Sequence, residues 1–284
     1  MKLKKNSLPT LIDIKIKNGE RLAGDNFKKK QLKKWYNQEK EAYYETELST
    51  GAIDPWYSYM RYINNKYFFS SIYPTRGKIL FIGVADGEEA VDFIKKHKHW
   101  NVSFLESSPS YIKILKKKFP KTNIYRANTS GNFPISNNSF DVVCAFSVLH
   151  HIANVSHIIK EISRILKMDG KFFVREPCSS MGDWRSERSA TPNERGIAKE
   201  WMLNKTRLNN LFAYKTPLPI IFEPINKFLV KSIGYKYISH KIIFIFDIII
   251  SKILSYNDYY WRDTFFKKFG PSSYIYFFKK NEKK

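Results

Sequence analysis

The segment from Gly83 to Gly87 is the part of the sequence best suited to bind an anionic ligand. It lies between an apolar run and a stretch with helical periodicity, which predicts a strand, a tight turn and a helix. Glycines leave room for a ligand to approach the backbone, and a helix start offers N–H groups and a positive dipole to an anion. The predicted ligand contacts in this turn are Gly83, Ala85, Asp86 and Gly87. An ordinary strand–turn–helix joint is the alternative interpretation.

Glu106 follows the next predicted strand, about twenty residues after the turn. An acidic side chain at this place can accept hydrogen bonds from both hydroxyls of a ribose. We therefore expect Glu106 to bind the ribose of the same ligand. The alternative is a glutamate that only decorates the surface.

Three later segments occur in a characteristic order. The first, 132–143, contains Ser139-Phe140-Asp141 before an apolar strand. The second is Ser147-Val148-Leu149-His150-His151-Ile152, and the third is the helix-to-strand joint at 164–172, with Leu166, Lys167 and Gly170. Together with the turn, these segments make residues 79–174 resemble the class I S-adenosylmethionine-dependent methyltransferases.

The resemblance implies a Rossmann-like fold with S-adenosylmethionine as the cofactor, and it adds Asn128, Thr129 and Ser147 as contacts. Two positions depart from the family, which usually has an acidic residue in place of Phe81 and a glycine in place of Ala85. The acidic residue that often contacts the adenine amino group is also missing, so Asn128 and Thr129 would replace it as neutral groups. A catalytically inactive member is one alternative. A nicotinamide-binding protein fits less well, because the turn does not match G-x-G-x-x-G.

His150 and His151 come directly after the fourth predicted strand, next to the expected cofactor. Methyl transfer from a sulfonium needs an aligned nucleophile and little water. An oxygen nucleophile must also lose a proton, and histidine has a suitable pKa for that role. We predict that one of the two is the catalytic base. Packing or capping before the next helix is the alternative.

The polar segment after the fifth predicted strand is the expected substrate side. Its candidate substrate-binding residues are Glu176, Asp183, Trp184 and Arg185, which could bind sugar hydroxyls, a phosphate or an apolar sugar face. Together with Glu194-Arg195-Gly196-Ile197, the segment resembles methyltransferases encoded among bacterial cell-surface polysaccharide genes. A solvated loop held by local salt bridges is the alternative.

Around these residues, apolar runs alternate with helical segments, which predicts an α/β protein with a doubly wound, mostly parallel sheet. The predicted strands are 78–82, 101–105, 122–125, 140–146, 171–174 and 272–279. We expect a helical N-terminal cap at 1–76, a cofactor-binding core at 77–177, and a substrate loop, helical insertion and closing strand at 178–284. Helices are predicted at 26–48 and 56–67 in the cap and at 194–212 in the insertion.

Aromatic residues of the cap could form a lid over the cofactor, although core packing is the favoured interpretation; they are Tyr43, Tyr44, Trp56, Tyr57 and Tyr59. The apolar run 242–254 is too short to span a bilayer. It is predicted to be a buried helix or strand, with weak attachment to an anionic membrane as the alternative.

The formal net charge is +23, and 38 of the 49 basic residues are lysine. Nucleic-acid binders favour arginine, so a nucleic-acid partner is not expected. The lysine excess matches AT-rich codon usage, with an anionic partner as the second explanation. The two cysteines are too few for a disulfide framework or a cysteine zinc site, and we predict no metal. No secretory signal is apparent, and a cytoplasmic location is expected.

The leading hypothesis is therefore an enzyme that methylates a small molecule or a glycan, most simply at oxygen. One alternative is a methyltransferase acting on RNA or another nucleic acid, although no base-methylating motif or RNA-binding module is recognisable. The other is a non-catalytic, membrane-associated protein that kept the fold.

Overall fold

The structure, a computed structural model, describes residues 11–45, 55–72, 76–181, 191–221 and 240–282. Its strands are β1 (Gly77–Ile82), β2 (Trp100–Leu105), β3 (Asn123–Tyr125), β4 (Phe140–Phe146), β5 (Leu166–Pro177), β6 (Leu211–Ala213), β7 (Leu218–Ile220) and β8 (Ser273–Lys280). Its helices are α1 (Leu11–Lys17), α2 (Lys29–Glu39), α3 (Pro55–Ile63), α4 (Glu88–Lys96), α5 (Pro109–Lys118), α6 (Val155–Ile165), α7 (Lys199–Leu208) and α8 (His240–Leu254).

The strands form one sheet in the order β3-β2-β1-β4-β5-β8-β6, and β7 also pairs with β8. Strands β1 to β5 are mutually parallel, whereas β8 is antiparallel to β5, β6 and β7. The expected mostly parallel, doubly wound α/β fold is confirmed. The strand order reverses at β1, which lies between β2 and β4, and such a point opens a ligand crevice at the carboxyl ends of the strands.

The register of β1 brings the predicted site residues to one edge. Ile82 pairs with Leu105 of β2 and with Ala145 of β4, so these three strands end almost level. The turn after β1, Glu106 after β2 and Ser147 after β4 therefore lie side by side at the switch point.

Side chains of β1 alternate between two apolar layers because successive strand residues point to opposite faces. Phe81 belongs to a layer of aromatic residues that includes Phe68, Phe93 and Phe104. Leu80 and Ile82 belong to the other layer, where α6 contributes four buried isoleucines, Ile158, Ile159, Ile162 and Ile165. Because apolar side chains pack on both faces of the sheet, the carboxyl end of β1 is held in a fixed position between them.

Two predicted element boundaries were wrong. Strand β5 begins at Leu166, directly after α6, and ends at Pro177, although the strand was predicted only at 171–174. The chain bends there with a register shift against β4 and a positive φ at Asp169, and then continues as the same strand. The helix predicted at 194–212 is only α7, because Leu211–Ala213 pairs with β8.

Helix α8 is not buried as predicted, since only one of its sides is covered. Ile243 and Phe244 lie in the aromatic layer, but Ile245, Phe246 and Ile249 are exposed. Among the described residues, no helix is long and apolar enough to cross a membrane.

Candidate cofactor and acceptor site

The turn after β1 has a left-handed backbone at three positions. Gly83, Ala85 and Gly87 have φ values of +61°, +49° and +84°. The N–H of Gly83 donates to the Leu105 carbonyl at 2.8 Å, and the N–H of Gly87 donates to the Val84 carbonyl at 2.8 Å. The turn is therefore fixed to β2 at its start and closed on itself before α4 begins.

The glycines of this turn are required by neighbouring protein atoms. A Cβ at Gly83 would lie 2.0 Å from Cγ2 of Val148, and a Cβ at Gly87 would lie 2.5 Å from the ring of Phe119. Close packing is thus one reason for both glycines, and that they also leave room for a ligand remains a prediction. They allow the turn to pack against the segment after β4 and against the end of α5.

Glu106 meets this turn directly. Its Oε2 accepts the N–H of Ala85 at 3.1 Å, and its Oε1 accepts the N–H groups of Ser107 at 2.6 Å and Ser108 at 2.9 Å. Burial raises the pKa of Glu106, and these N–H groups oppose that change. A carboxylate offers about four acceptor positions, so Oε2 retains one for a ribose hydroxyl. The carboxylate thus fits the ribose role predicted for it.

The N-terminal cap lies across this edge. Ser108 donates its hydroxyl to Glu41 Oε2 at 2.9 Å, and the Tyr36 hydroxyl lies 3.4 Å from the Ser107 carbonyl oxygen. The rings of Tyr43 and Tyr44 contact Tyr111 of α5. These contacts place the cap against the edge at Glu106, and a lid over the cofactor remains a prediction.

Of the other three aromatic residues considered for a lid, only Tyr59 has a side chain that the structure describes. Tyr59 is fully buried and donates to Asp247 of α8 at 2.8 Å, so it belongs to the core. The side chains of Trp56 and Tyr57 lie outside the described residues.

The remaining predicted cofactor contacts are near the edge but already have protein partners. Asp86 accepts the N–H of Glu88 at 3.1 Å and pairs with Lys118 at 3.3 Å. Asn128 uses its Oδ1 within its own turn, where it accepts the N–H groups of Ser130 and Asn132, and Thr129 is half-buried. Contacts of Asn128 and Thr129 with an adenine remain predictions.

Ser147 has a positive φ of +52° directly after β4, and its hydroxyl lies 3.3 Å from Nη2 of Arg175. Arg175 is buried and also contacts Glu89 of α4 at 2.5 Å and Asn64 at 2.8 Å. This network connects the ends of β4 and β5 with α4. A cofactor contact of Ser147 also remains a prediction.

Glu176 does not face a substrate, which corrects the sequence prediction. Its side chain has no exposed surface. Its Oε1 accepts the N–H groups of Val148 and Leu149, each at 2.8 Å, and its Oε2 lies 2.7 Å from Nδ1 of His150. Burial raises the pKa of Glu176, against the effect of these N–H groups. Glu176 therefore holds the turn after β4.

His150 is bound into the same arrangement. Burial lowers its pKa to about 3, and Arg195 acts in the same direction, so the imidazole is neutral. It donates Nδ1–H to Glu176 and is itself almost fully covered. These contacts suit a positioning role better than a base that exchanges protons with a substrate.

His151 is more accessible, with 21% of its side chain exposed. Its Nδ1 lies 3.1 Å from Glu39 Oε2 and 3.2 Å from the Thr191 hydroxyl. Ligand atoms of His150, His151 and Glu194 lie within 4.8 Å of one another. Burial and the neighbouring His150 lower the pKa of His151. The imidazole of His151 and the carboxylates of Glu39 and Glu194 thus lie close together beside the cofactor edge.

Arg195 was missed as a site residue by the sequence analysis. It is buried and donates to the carbonyls of Ala23, His150, Ile152 and Ala153 at 2.8–2.9 Å. It therefore fixes the backbone around both histidines. Its sequence neighbours resembled a family segment, but nothing in the pattern indicated which carbonyls it would bind. Asp183, Trp184 and Arg185 lie outside the described residues.

Comparison with known proteins agrees with this geometry. Residues 80–174 match the family model described as "Methyltransferase domain". These residues are therefore similar to methyltransferase domains, and the match indicates S-adenosylmethionine as the cofactor. The match begins in β1 and ends in β5, so it contains the turn, Glu106 and both histidines. No curated protein sequence matches the chain.

Solved structures share the fold at low sequence identity. Geranyl diphosphate C-methyltransferase from Streptomyces coelicolor A3(2), solved with Mg²⁺, geranyl diphosphate and S-adenosyl-L-homocysteine, has a TM-score of 0.54 and 12% identity, over 78% of this chain and 77% of that chain. A chain from the complex containing the Haloferax volcanii Trm112 methyltransferase activator has a TM-score of 0.58 and 11% identity, over 87% and 98%. The cyclase SpnF has a TM-score of 0.53 and 13% identity, over 78% and 81%. One fold thus occurs in a cyclase and in a C-methyltransferase, so the fold alone does not define the activity.

Proposed function

We propose that this protein is a methyltransferase that transfers the methyl group of S-adenosylmethionine to a hydroxyl of a small molecule or a glycan. The observation that carries the proposal is the position of His151 beside the cofactor edge, in contact with Glu39 and Thr191. A hydroxyl needs a base to become a good nucleophile. The domain provides one accessible imidazole where the acceptor would lie.

Bound S-adenosylmethionine supplies a methyl group on a positively charged sulfur. Held by the turn after β1 and by Glu106, the cofactor would offer this methyl group as the electrophile to an acceptor hydroxyl. His151 takes the hydroxyl proton, and Glu39 stabilises the resulting imidazolium. The role of His150, Glu176 and Arg195 is to position His151, because they fix the backbone around it.

The polysaccharide subgroup is part of this proposal as the preferred acceptor class. It is supported by the resemblance of the segments around Ser180 and Glu194, and Asp183, Trp184 and Arg185 are the proposed sugar contacts. A nucleic-acid acceptor is less favoured because lysine dominates the basic residues. A cytoplasmic location is proposed with it.

Transfer of a labelled methyl group tests the proposal. The full chain should label nucleotide sugars or glycans, whereas transfer to RNA alone would refute the acceptor class. His151→Gln should lower kcat at least about a hundredfold, with S-adenosylhomocysteine binding unchanged. His157→Gln, a surface histidine of α6 that contacts Asn132, is the matched control and should keep full activity.

The pH profile provides a second readout of the same role. A base must be unprotonated, and the pKa of His151 is lowered from its usual 6.5. We expect kcat/KM to be constant above that value and to fall only in more acidic solution. Equal profiles for the native protein and His151→Gln, with equal kcat, would show that His151 is not the base.

A further inference from the structure

Helix α8 buries two polar side chains against the protein and exposes most of its apolar side chains. Asp247 and Ser251 are buried, and Asp247 accepts the hydroxyl of Tyr59 at 2.8 Å, the N–H of Ile221 at 2.9 Å and the hydroxyl of Ser251 at 2.8 Å. The exposed apolar residues are Ile242, Ile245, Phe246, Ile248, Ile249 and Ile253. Their exposed fractions run from 37% for Ile248 to 64% for Ile253. This is the reverse of a helix facing water.

Aromatic residues extend this surface at the end of the helix. Tyr256 is 95% exposed, and Phe265 and Phe266 are also exposed. The side-chain amide of Asn257 donates to the carbonyls of Phe266 and Phe269, which holds the aromatic segment next to the end of α8. We call α8 from Ile242 to Ile253, together with Tyr256, Phe265, Phe266 and Phe269, the apolar surface. Large apolar side chains exposed together in this way are typical of an interaction site.

The charges around the apolar surface are mainly positive, although Lys267 pairs with the exposed Asp263 at 2.9 Å. Lys241 and Lys252 are exposed on α8, and Lys267 and Lys268 lie between the exposed phenylalanines. The one acidic residue in the sequence of α8 is Asp247, which is buried inward. Aromatic and aliphatic side chains beside lysines are typical of helices that lie in the interface of a bilayer.

We propose that the apolar surface binds the face of an anionic phospholipid bilayer. Helix α8 would lie along the membrane, with its isoleucines and phenylalanines below the headgroups and its lysines at the lipid phosphates. Charge favours this occupant over a second copy of the chain, because each copy carries +23 and would repel the other. The inference is independent of the acceptor and of the proton transfer at His151.

Vesicle sedimentation with the full-length chain tests the proposal. The protein should bind vesicles of phosphatidylcholine containing phosphatidylglycerol, bind less to phosphatidylcholine alone, and lose binding as salt increases. The double substitution Phe246→Ser and Ile249→Ser should lower the partition coefficient at least about tenfold. The matched control is Leu208→Ser on α7, because Leu208 is also highly exposed and apolar but lies outside the apolar surface.

Two matched charge-reversal variants distinguish membrane attraction by this surface from attraction by the overall charge of the protein. Lys241→Glu with Lys252→Glu should weaken binding to the anionic vesicles strongly. Lys116→Glu with Lys117→Glu makes the same charge change on the exposed side of α5 and should weaken it much less. Equal loss in both pairs would refute a specific membrane-binding face.

Three results would overturn the proposal. Equal vesicle binding by the native chain and by the Phe246 and Ile249 variant would exclude the apolar surface from the contact. A native dimer that becomes monomeric in this variant, without vesicle binding by either, would show that a second copy covers it. A lower unfolding temperature of the variant, again without vesicle binding, would show that the surface packs against the chain itself.

Discussion

Glu106 and Glu176 have equivalent positions on the two sides of the crevice. Each lies at the carboxyl end of a parallel strand, is buried, and accepts backbone N–H groups from the turn after a neighbouring strand. Glu176 also binds the imidazole of His150 and has no exposed surface. Glu106 retains an acceptor position on Oε2. From this comparison we predict that a carboxylate at a strand end binds a ligand only where the protein leaves part of it unsatisfied.

The largest expected effect is the loss of free energy of unfolding caused by Glu176→Ala. Glu176→Ala leaves the N–H groups of Val148 and Leu149 and the Nδ1–H of His150 without their acceptor. Each unsatisfied buried donor costs about 1–3 kcal/mol, so we expect a loss of about 3 kcal/mol or more in urea unfolding. If Glu106→Ala destabilised the protein more than Glu176→Ala, the division of roles between the two glutamates would be wrong.

Arg195→Lys tests the same side of the crevice. Lysine cannot reproduce the planar fork that binds four carbonyls, and a loss of about 2–3 kcal/mol is expected from the carbonyls left unpaired. Urea unfolding measures it. Arg207→Lys, an exposed arginine at the end of α7, is the matched control and should change little. Equal stability of both variants would mean that Arg195 does not hold the histidine segment.

Gly83→Ala tests the contact between the turn after β1 and Val148 in the segment after β4. The new Cβ would clash with Val148 at a position that already has a positive φ, so we expect a loss of about 2 kcal/mol. Adding Val148→Ala should restore part of it, as a double-mutant cycle of unfolding free energies would show. Strictly additive effects would contradict the contact.

The local sequence pattern was sufficient to predict that Glu106 lies beside the turn after β1. Strand β4 has the predicted bounds 140–146, and Glu106 meets the turn because strand lengths and crossovers fix both at one edge. Contacts between distant residues could not be predicted. Glu176 binds His150, 26 residues away, Arg195 binds the Ala23 carbonyl, 172 residues away, and Asp247 turns inward because of Tyr59, 188 residues away. Composition and periodicity contain no information about such partners.

Calorimetry with S-adenosylhomocysteine tests the cofactor site most directly. The native chain should bind in the micromolar range, and Glu106→Ala should weaken binding at least about tenfold, or about 1.4 kcal/mol, with a cooperative unfolding transition retained. Glu106→Gln keeps the shape of the side chain and separates the loss of charge from the loss of folding. Equal affinity of the native chain and both variants would contradict the assignment of Glu106 to the ribose.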